Sequence, residues 1–274
     1  MKFGNVAITR AKHGYFMFNT NDSFVGRSLR EYGEWCEKEL DLLGQVVRPG
    51  DVVVDVGAYI GTHSIFFAKK VMNRGWVYAI EPQRLVFNML CGNIALNGIL
   101  NVKAIYAAAG SATGIITVPL LDPNTEQNFG AVQISKYDVG DVVDQICIDD
   151  LSLDKCDLIK IDVEGMERLV VKGAEKTINR FRPIVFVENN RTEGSAELIE
   201  YLQKLKYKCW WQAAPYYNEK NYLGNKVNVF GKFGMEVNMF CLPKENPIQV
   251  EGLEPVMGSK DNWGEAIKRI SRRQ

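Results

Sequence analysis

Asp51–Val71 reads DVVVDVGAYIGTHSIFFAKKV, and its two halves ask for different backbones. DVVVDV is a continuous β-branched run, the composition of a strand buried on both faces, with the turn Arg48-Pro49-Gly50 bounding it in front. A helix follows from Gly61 to about Met72. The join is Asp55-Val56-Gly57-Ala58-Tyr59-Ile60-Gly61. Gly57 allows a turn that a Cβ would crowd, and Gly61 lets the helix start lie close to a ligand or strand. Backbone N–H groups at such a helix start can bind anions. A strand, a glycine turn and a helix in this order belong to an open α/β sheet, where ligands bind at the strand ends. A plain βα turn uses the same glycines, so the turn alone names no ligand.

The alternation repeats outward from this unit. Trp76–Glu81 (WVYAIE) is a second buried strand, Arg84–Asn97 a second helix and Val102–Ala107 a third strand. Asp157–Asp162 (DLIKID) is the fourth strand, with a helix from about Met166 to Asn179 after it. Pro183–Glu188 (PIVFVE) is the fifth, followed by a helix over Gly194–Lys206. Thr113–Val118 and Gln145–Ile148 are expected as an inserted strand pair, and Lys208–Trp211 with Val237–Leu242 as a pair closing the sheet. The turn-rich GYFMFNTNDSFVG (Gly14–Gly26) and an amphipathic stretch, Ser28–Leu43, precede all of this. The tail 261–274 sets Trp263, Ile267 and Ile270 among Lys268, Arg269, Arg272 and Arg273, a pattern read as a short docked or frayed terminal helix rather than a membrane-surface one. The expected organisation is a cap over 1–48, one α/β domain over 49–243 and a tail over 244–274.

Composition narrows the partners. The 274 residues carry 33 Lys plus Arg against 33 Asp plus Glu, a net charge of zero, whereas chains that neutralise many phosphates carry a basic excess. Nucleic acid is therefore not expected as a partner. No apolar run reaches the roughly 18 residues that mark a spanning helix. MKFGNVAITRAKHGYF lacks the apolar core of a signal peptide. Six cysteines are scattered without a C-x-x-C pair, which is neither a zinc pattern nor a disulfide scaffold and fits a cytoplasmic protein.

Two details of the turn bear on its ligand. A dinucleotide fingerprint is G-x-G-x-x-G, but here Ala58-Tyr59 stands where the second glycine would let a pyrophosphate approach. The acidic Asp55 ahead of the turn favours a ligand with a positive end, such as a sulfonium plus an amino group. Glu81 ends the second strand, where a carboxylate accepts hydrogen bonds from both ribose hydroxyls. Together these features point to S-adenosylmethionine as cofactor and away from NAD.

DVVVDVGAYIGTHSIFFAKKV, VYAIEPQ, NIALNG, LIKIDVEGMERLVVKGA and RPIVFVEN, in this order over roughly residues 30–190, resemble the FkbM family of S-adenosylmethionine-dependent methyltransferases. The resemblance implies a Rossmann-like class I methyltransferase fold: a seven-stranded, mostly parallel α/β sheet, antiparallel in its last strand, with helices on both faces. It also implies O-methyl transfer onto hydroxyls of sugars or other small molecules. Carried over residue by residue, it puts Asp55, Gly57, Ala58, Gly61 and Thr62 around the methionine part of the cofactor. Glu81 falls at the ribose, Pro82 and Gln83 at the adenine edge and Ala108 beside the adenine. Tyr32 and Glu34, from the EYGEW segment, are expected to close over the cofactor or, equally, to serve simple N-terminal packing.

Lys160, Asp162 and Glu164 alternate at the end of the fourth strand, so period 2 puts all three on one face. Charges in an otherwise apolar strand cost free energy unless paired, so this block reads either as an internal ion pair or as the reacting end of a site. Methyl transfer needs an aligned acceptor, a dry site and a proton acceptor. Asp162 and Glu164 are the preferred bases; His63, one of only two histidines, is the other candidate. Asn128, Glu188, Trp211, Tyr217 and Asn221 are expected to meet a small-molecule or saccharide acceptor. A divalent metal could use Asp162, Glu188 and Asn189, as in some O-methyltransferases, but these residues have no definite ligand spacing, so no metal is assigned. The alternatives are transfer to nitrogen or to a peptide or lipid-linked acceptor, and a cofactor-binding protein without catalysis.

Overall fold

The computed structural model describes residues 2–134, 137–231 and 234–272. The glycine-turn unit folds as its sequence implies: β4 (Val52–Val56) runs through the turn into α3 (Thr62–Val71). Beside β4 lie β5 (Trp76–Ile80), β6 (Val102–Ile105), β10 (Leu158–Ile161) and β11 (Ile184–Glu188), all parallel. Two long strands, β12 (Tyr207–Pro215) and β13 (Met235–Pro243), close the sheet, and β13 inserts antiparallel between β11 and β12. The order is β12-β13-β11-β10-β4-β5-β6, extended past β12 by the two-residue β14 (Glu254–Pro255). The seven long strands thus make the expected mostly parallel sheet with its last strand reversed; the eighth was not expected. The chain winds from β4 toward β6 and then restarts at β10 on the other side of β4. That reversal opens a crevice at the carboxyl ends of β4 and β10.

Side-chain alternation divides the core between the two faces. Val54, Val56, Ile159, Ile161, Val185 and Val187 point to one face. There they meet α5 (Glu167–Gly173), α6 (Glu175–Phe181), α7 (Ser195–Lys204) and α8 (Trp263–Ser271). Val53, Leu158 and Phe186 point to the other, against α2 (Glu37–Val46) and α3. α4 (Arg84–Leu96) supports β5 and β6 on this side.

Several boundaries differ from the sequence reading. The helix expected over 166–179 is two short helices, α5 and α6, interrupted at Ala174. Ser28–Leu43 is likewise broken into α1 (Val25–Tyr32) and α2, because Gly33 and Cys36 take left-handed backbone angles between them. The turn-rich N-terminal segment is a hairpin, β2 (Val6–Ala11) with β3 (Gly14–Asn19), preceded by β1 (Lys2–Phe3) and packed on α4. The inserted pair exists as β8 (Gly114–Val118) and β9 (Asp141–Ile146), in a small sheet with β7 (Ala108–Ala109). The tail docks as α8, whose Ala266 and Trp263 join the main core; Arg273 lies outside the described residues. Among the described residues no helix is long and apolar enough to cross a membrane.

Candidate active site

The site begins with a backbone constraint. Gly57 leaves β4 at φ 74°, and a Cβ there would stand 1.7 Å from the carbonyl oxygen of Asp162 at the end of β10. The two strand ends therefore touch main chain to main chain, and their side chains and amides fan into the crevice above. Tyr59, also left-handed at φ 51°, turns its N–H onto Glu81 Oε2 at 2.9 Å. The Gln83 N–H donates to Glu81 Oε1 at 2.8 Å. Burial nonetheless dominates the Glu81 carboxyl and pushes it up to about 7, against those two bonds.

A cleft of about 460 Å³ runs from Gly57 past Glu81, Pro82 and Gln83 to an apolar wall of Ala107, Ala108 and Ala109. Val132, Ile134 and Gly130, from the irregular segment between β8 and β9, form the opposite wall, and Gln83 Nε2 ties that segment down through Phe129 O at 2.9 Å. An apolar slot between these walls, with Glu81 at one end and Asp162 and Glu164 at its border, suits a purine nucleoside. At the other end of Gly57 the start of α3, with no acidic side chain in its first turn, contributes Thr62 and His63 to the lining of a second space of about 620 Å³. A helix N-terminus favours an anionic group close to it.

That second space is rimmed by Phe24, Trp35, Asn128, Asp162, Glu164 and Glu236. Trp35 stacks on Tyr216 with ring centroids 4.9 Å apart and 18° between planes. The carboxylates are crowded. Burial, then the Asp162 charge, pushes Glu164 up to about 7 against the Arg191 guanidinium bonded to it. Burial followed by Asp162 and Glu164 holds Glu188 well above the carboxylate range, and burial with Asp162 and Glu39 does the same to Glu236. Glu164 sits at φ 55° and Gly165 at φ 103°, a strained pair that turns the chain out of β10.

Beneath the crevice, register pairs Lys160 on β10 with Asp55 on β4, so the two side chains lie at one height on one face. Lys160 Nζ is 3.3 Å from Asp55 Oδ1 and 3.4 Å from Asp162 Oδ2, and Ser64 of α3 donates to Asp55 Oδ2 at 2.6 Å. Burial works against the Lys160 charge, but the carboxylates of Asp55, Asp162 and Glu39 outweigh it and raise its pKa.

The family model of the methyltransferase FkbM domain matches residues 55–209, from the glycine turn to β12. The chain belongs to the FkbM methyltransferase family. It is a methyltransferase, and the family implies S-adenosylmethionine as its cofactor. Methyltransferase sdnD of Sordaria araneosa is 28% identical over 183 residues, covering 55% of this chain and 70% of that protein. Among solved structures, FkbM methyltransferase of Methylobacillus flagellatus KT matches with a TM-score of 0.48 and 18% identity, over 74% of this chain. The present chain spans 50% of the length of that relative. TYW2 of M. jannaschii, in complex with AdoMet, matches with a TM-score of 0.47 and 16% identity, over 88% of this chain and 87% of that one.

Within this methyltransferase the expected residues divide. Gly57, Glu81, Pro82, Gln83 and Ala108 line the first cleft, and Ala58, Thr62, His63 and Asn128 line the second space. Asp162 and Glu164 border both, while Glu188 faces a neighbouring cavity behind Glu164. His63 is nearly buried, with Nε2 held 3.0 Å from Glu39 Oε2.

Other expectations need correcting. Asp55 has no exposed surface, because Lys160 and Ser64 enclose it; it holds Lys160 rather than touching a ligand. Gly61 packs its helix start against Leu90 and lines neither space. Tyr32 and Glu34 grip the loop between β12 and β13 instead of the cofactor. The Tyr32 hydroxyl donates to Val227 O and accepts from Val229 N–H, while Glu34 accepts from the Asn218 amide and Tyr222 N–H. Trp211 is core, its Nε1–H bonded to Asp261 Oδ2 at 3.0 Å. Asn221 pins that same loop through Asn218 O and Asn225 O, and Tyr217 bonds Lys226 O and packs on Tyr32. The sequence reading did not single out Glu236 or the Val132–Ile134 wall, and took Trp35 only as part of the EYGEW segment. The signal for Glu236 is an acidic residue opening a closing strand, in MEVNMFCLP, and it required the fold to interpret.

Proposed function

We propose that this methyltransferase transfers the methyl group of S-adenosylmethionine to a hydroxyl oxygen of a small, hydroxyl-rich molecule such as a sugar. The observation that carries this reading is the second space, lined by Trp35 together with the carboxylates of Asp162, Glu164 and Glu236; Tyr216 backs it, stacked on Trp35 and donating its hydroxyl to Glu236 Oε1 at 3.0 Å. Aromatic faces pack the apolar face of a sugar ring, and carboxylates accept hydrogen bonds from its hydroxyls.

The residues present fit the cofactor. The Gly57 contact leaves no room for a side chain, Glu81 offers a carboxylate to ribose hydroxyls, Ala107–Ala109 and Ile134 flank an adenine, and the start of α3 faces the methionine carboxylate. When bound, the sulfonium supplies an electrophilic methyl and departs as a neutral thioether. The chain must then align the acceptor oxygen with the methyl–sulfur axis and accept its proton. Asp162 and Glu164 border both spaces and so stand where the acceptor hydroxyl would meet the donor; Lys160 and Arg191 fix one oxygen of each. Glu236 and Asn128 are placed to hold neighbouring hydroxyls.

The test is Glu164→Gln with an acceptor panel of sugars and sugar-bearing natural products. Turnover is expected to fall by about 10²–10⁴, the range of a lost proton acceptor, while S-adenosylhomocysteine affinity stays unchanged. Unchanged turnover removes Glu164 from the mechanism. A methyl group found on nitrogen in the product contradicts the hydroxyl reading.

A further inference from the structure

Three carboxylates converge behind the acceptor space in a way the proposed transfer leaves half used. Asp162 and Glu164 follow β10, and Glu188 ends β11, its parallel neighbour; register sets Ile161 beside Val187, so the residues leave the sheet side by side. One ligand oxygen from each of the three lies within 4.8 Å of the other two. Protein donors engage one oxygen of each: Lys160 on Asp162 Oδ2, Arg191 on Glu164 Oε2 and Asn190 on Glu188 Oε1. On Glu188, a residue only 3% exposed, the remaining Oε2 is buried with no hydrogen-bond partner.

A second observation lies along the cavity lined by Glu164, Glu188, Arg191 and Ser195. Ser195 is 4% exposed, and its hydroxyl is likewise buried without a partner. Buried polar atoms left unbonded are costly, and both oxygens, with the likewise unpartnered Arg191 Nε, belong to residues that line this one cavity.

We propose that Asp162, Glu164 and Glu188 form a binding site for a divalent cation of the oxygen-preferring class, Mg²⁺ or Mn²⁺. An all-oxygen donor set of carboxylates suits these ions, which keep several water positions for further ligands. The Ser195 hydroxyl is suited to bond one of those waters. No local spacing in the sequence reveals such a site, because its ligands come from the ends of two different strands. The acceptor class follows only if the hydroxyl-transfer reading holds: an ion beside that space would chelate two adjacent oxygens, favouring acceptors with vicinal oxygen atoms. A hydroxyl bound to it would also become more acidic. Asp162 and Glu164 would then serve the acceptor through the ion.

Ion binding is measured directly by titrating the protein with Mn²⁺ and following the free-ion paramagnetic resonance signal, with S-adenosylhomocysteine affinity read in the same samples. One saturable Mn²⁺ site per chain is expected, competed by Mg²⁺. Glu188→Gln should weaken it by at least about tenfold, the loss typical of damage to a metal site, with S-adenosylhomocysteine affinity retained. Should Glu188→Gln lose the fold, Arg191→Met serves instead: removing the guanidinium that competes for Glu164 should tighten Mn²⁺. No saturable binding at millimolar Mn²⁺, or affinities unmoved in these variants, overturns the site. S-adenosylhomocysteine binding without Mn²⁺ binding would sink this inference alone, and the reverse would sink the cofactor assignment alone.

Discussion

Gly57 carries the tightest constraint in the molecule's centre, since a Cβ would stand 1.7 Å from backbone that cannot swing away. Gly57→Ala is expected to cost more than about 2 kcal/mol from the clash and the positive φ, read as a lower melting temperature and lost cofactor binding. At Gly61 the nearest atom is a Leu90 methyl, 2.6 Å away on a flexible side chain, so the same change there is expected to be milder. Lys160→Met leaves Asp55 buried without its cation. A loss of about 3–5 kcal/mol is expected, as when one partner of a buried pair is removed; a melting temperature equal to wild type would contradict the pairing.

Glu81 gives a pH dependence with a definite sign. Its pKa is raised from 4.5 to about 7 in the fold, so between these values the folded chain holds the proton more tightly than the unfolded chain. This group therefore makes the fold less stable as pH rises through that window. Ribose hydroxyls donate to the ionised form, so S-adenosylhomocysteine should bind more tightly as pH rises toward about 7 and then level off. Calorimetry in buffers of different ionisation enthalpy would show proton release below that pH. Affinity independent of pH would mean Glu81 does not meet the ribose.

At the scale of elements, legibility follows periodicity. The five parallel strands and helices α3, α4 and α7 were readable because near-continuous apolar runs alternate with amphipathic stretches. The β2–β3 hairpin was not, because Lys12 and His13 fill its two-residue turn in place of the usual Asn-Gly pair. The cleft wall at 130–134 has no strand or α-helix pattern to read; only the fold brings it over Ala108. The docked tail was legible from Trp263 and Ile267, though its clamp was not. Arg269 binds both Asp261 and Glu254, and Asp261 also accepts from Trp211. Arg269→Ala should free α8, cost about 1–3 kcal/mol as a charged hydrogen-bond loss, and shift tryptophan emission to longer wavelength. Unshifted emission would show that the helix docks by its apolar face alone.

Across the whole molecule, the sequence made the lining of the first cleft more legible than that of the second space. The glycine turn and Glu81 lie on consecutive βα units, so chain order brings them together. The second space draws on Trp35, Asn128, Glu164 and Glu236, gathered from four distant segments. Residues singled out by type alone, such as Trp211 and Asn221, proved to hold the scaffold, because aromatic and amide side chains serve packing and loop anchoring equally well. Asp55 shows a related effect: its place before the glycine turn is legible, but its partner comes from a strand 105 residues later, matched only by parallel register.

The central claim is that the crevice between Gly57 and Glu81 holds S-adenosylmethionine with its ribose on Glu81. It is tested most directly by calorimetric titration of the protein with S-adenosylhomocysteine, with NAD as a parallel ligand and Glu81→Ala as the control. Micromolar binding of S-adenosylhomocysteine alone, weakened in Glu81→Ala while that variant keeps its fold, is the expected result. Binding of NAD instead, or equal affinity in wild type and variant, would contradict the account.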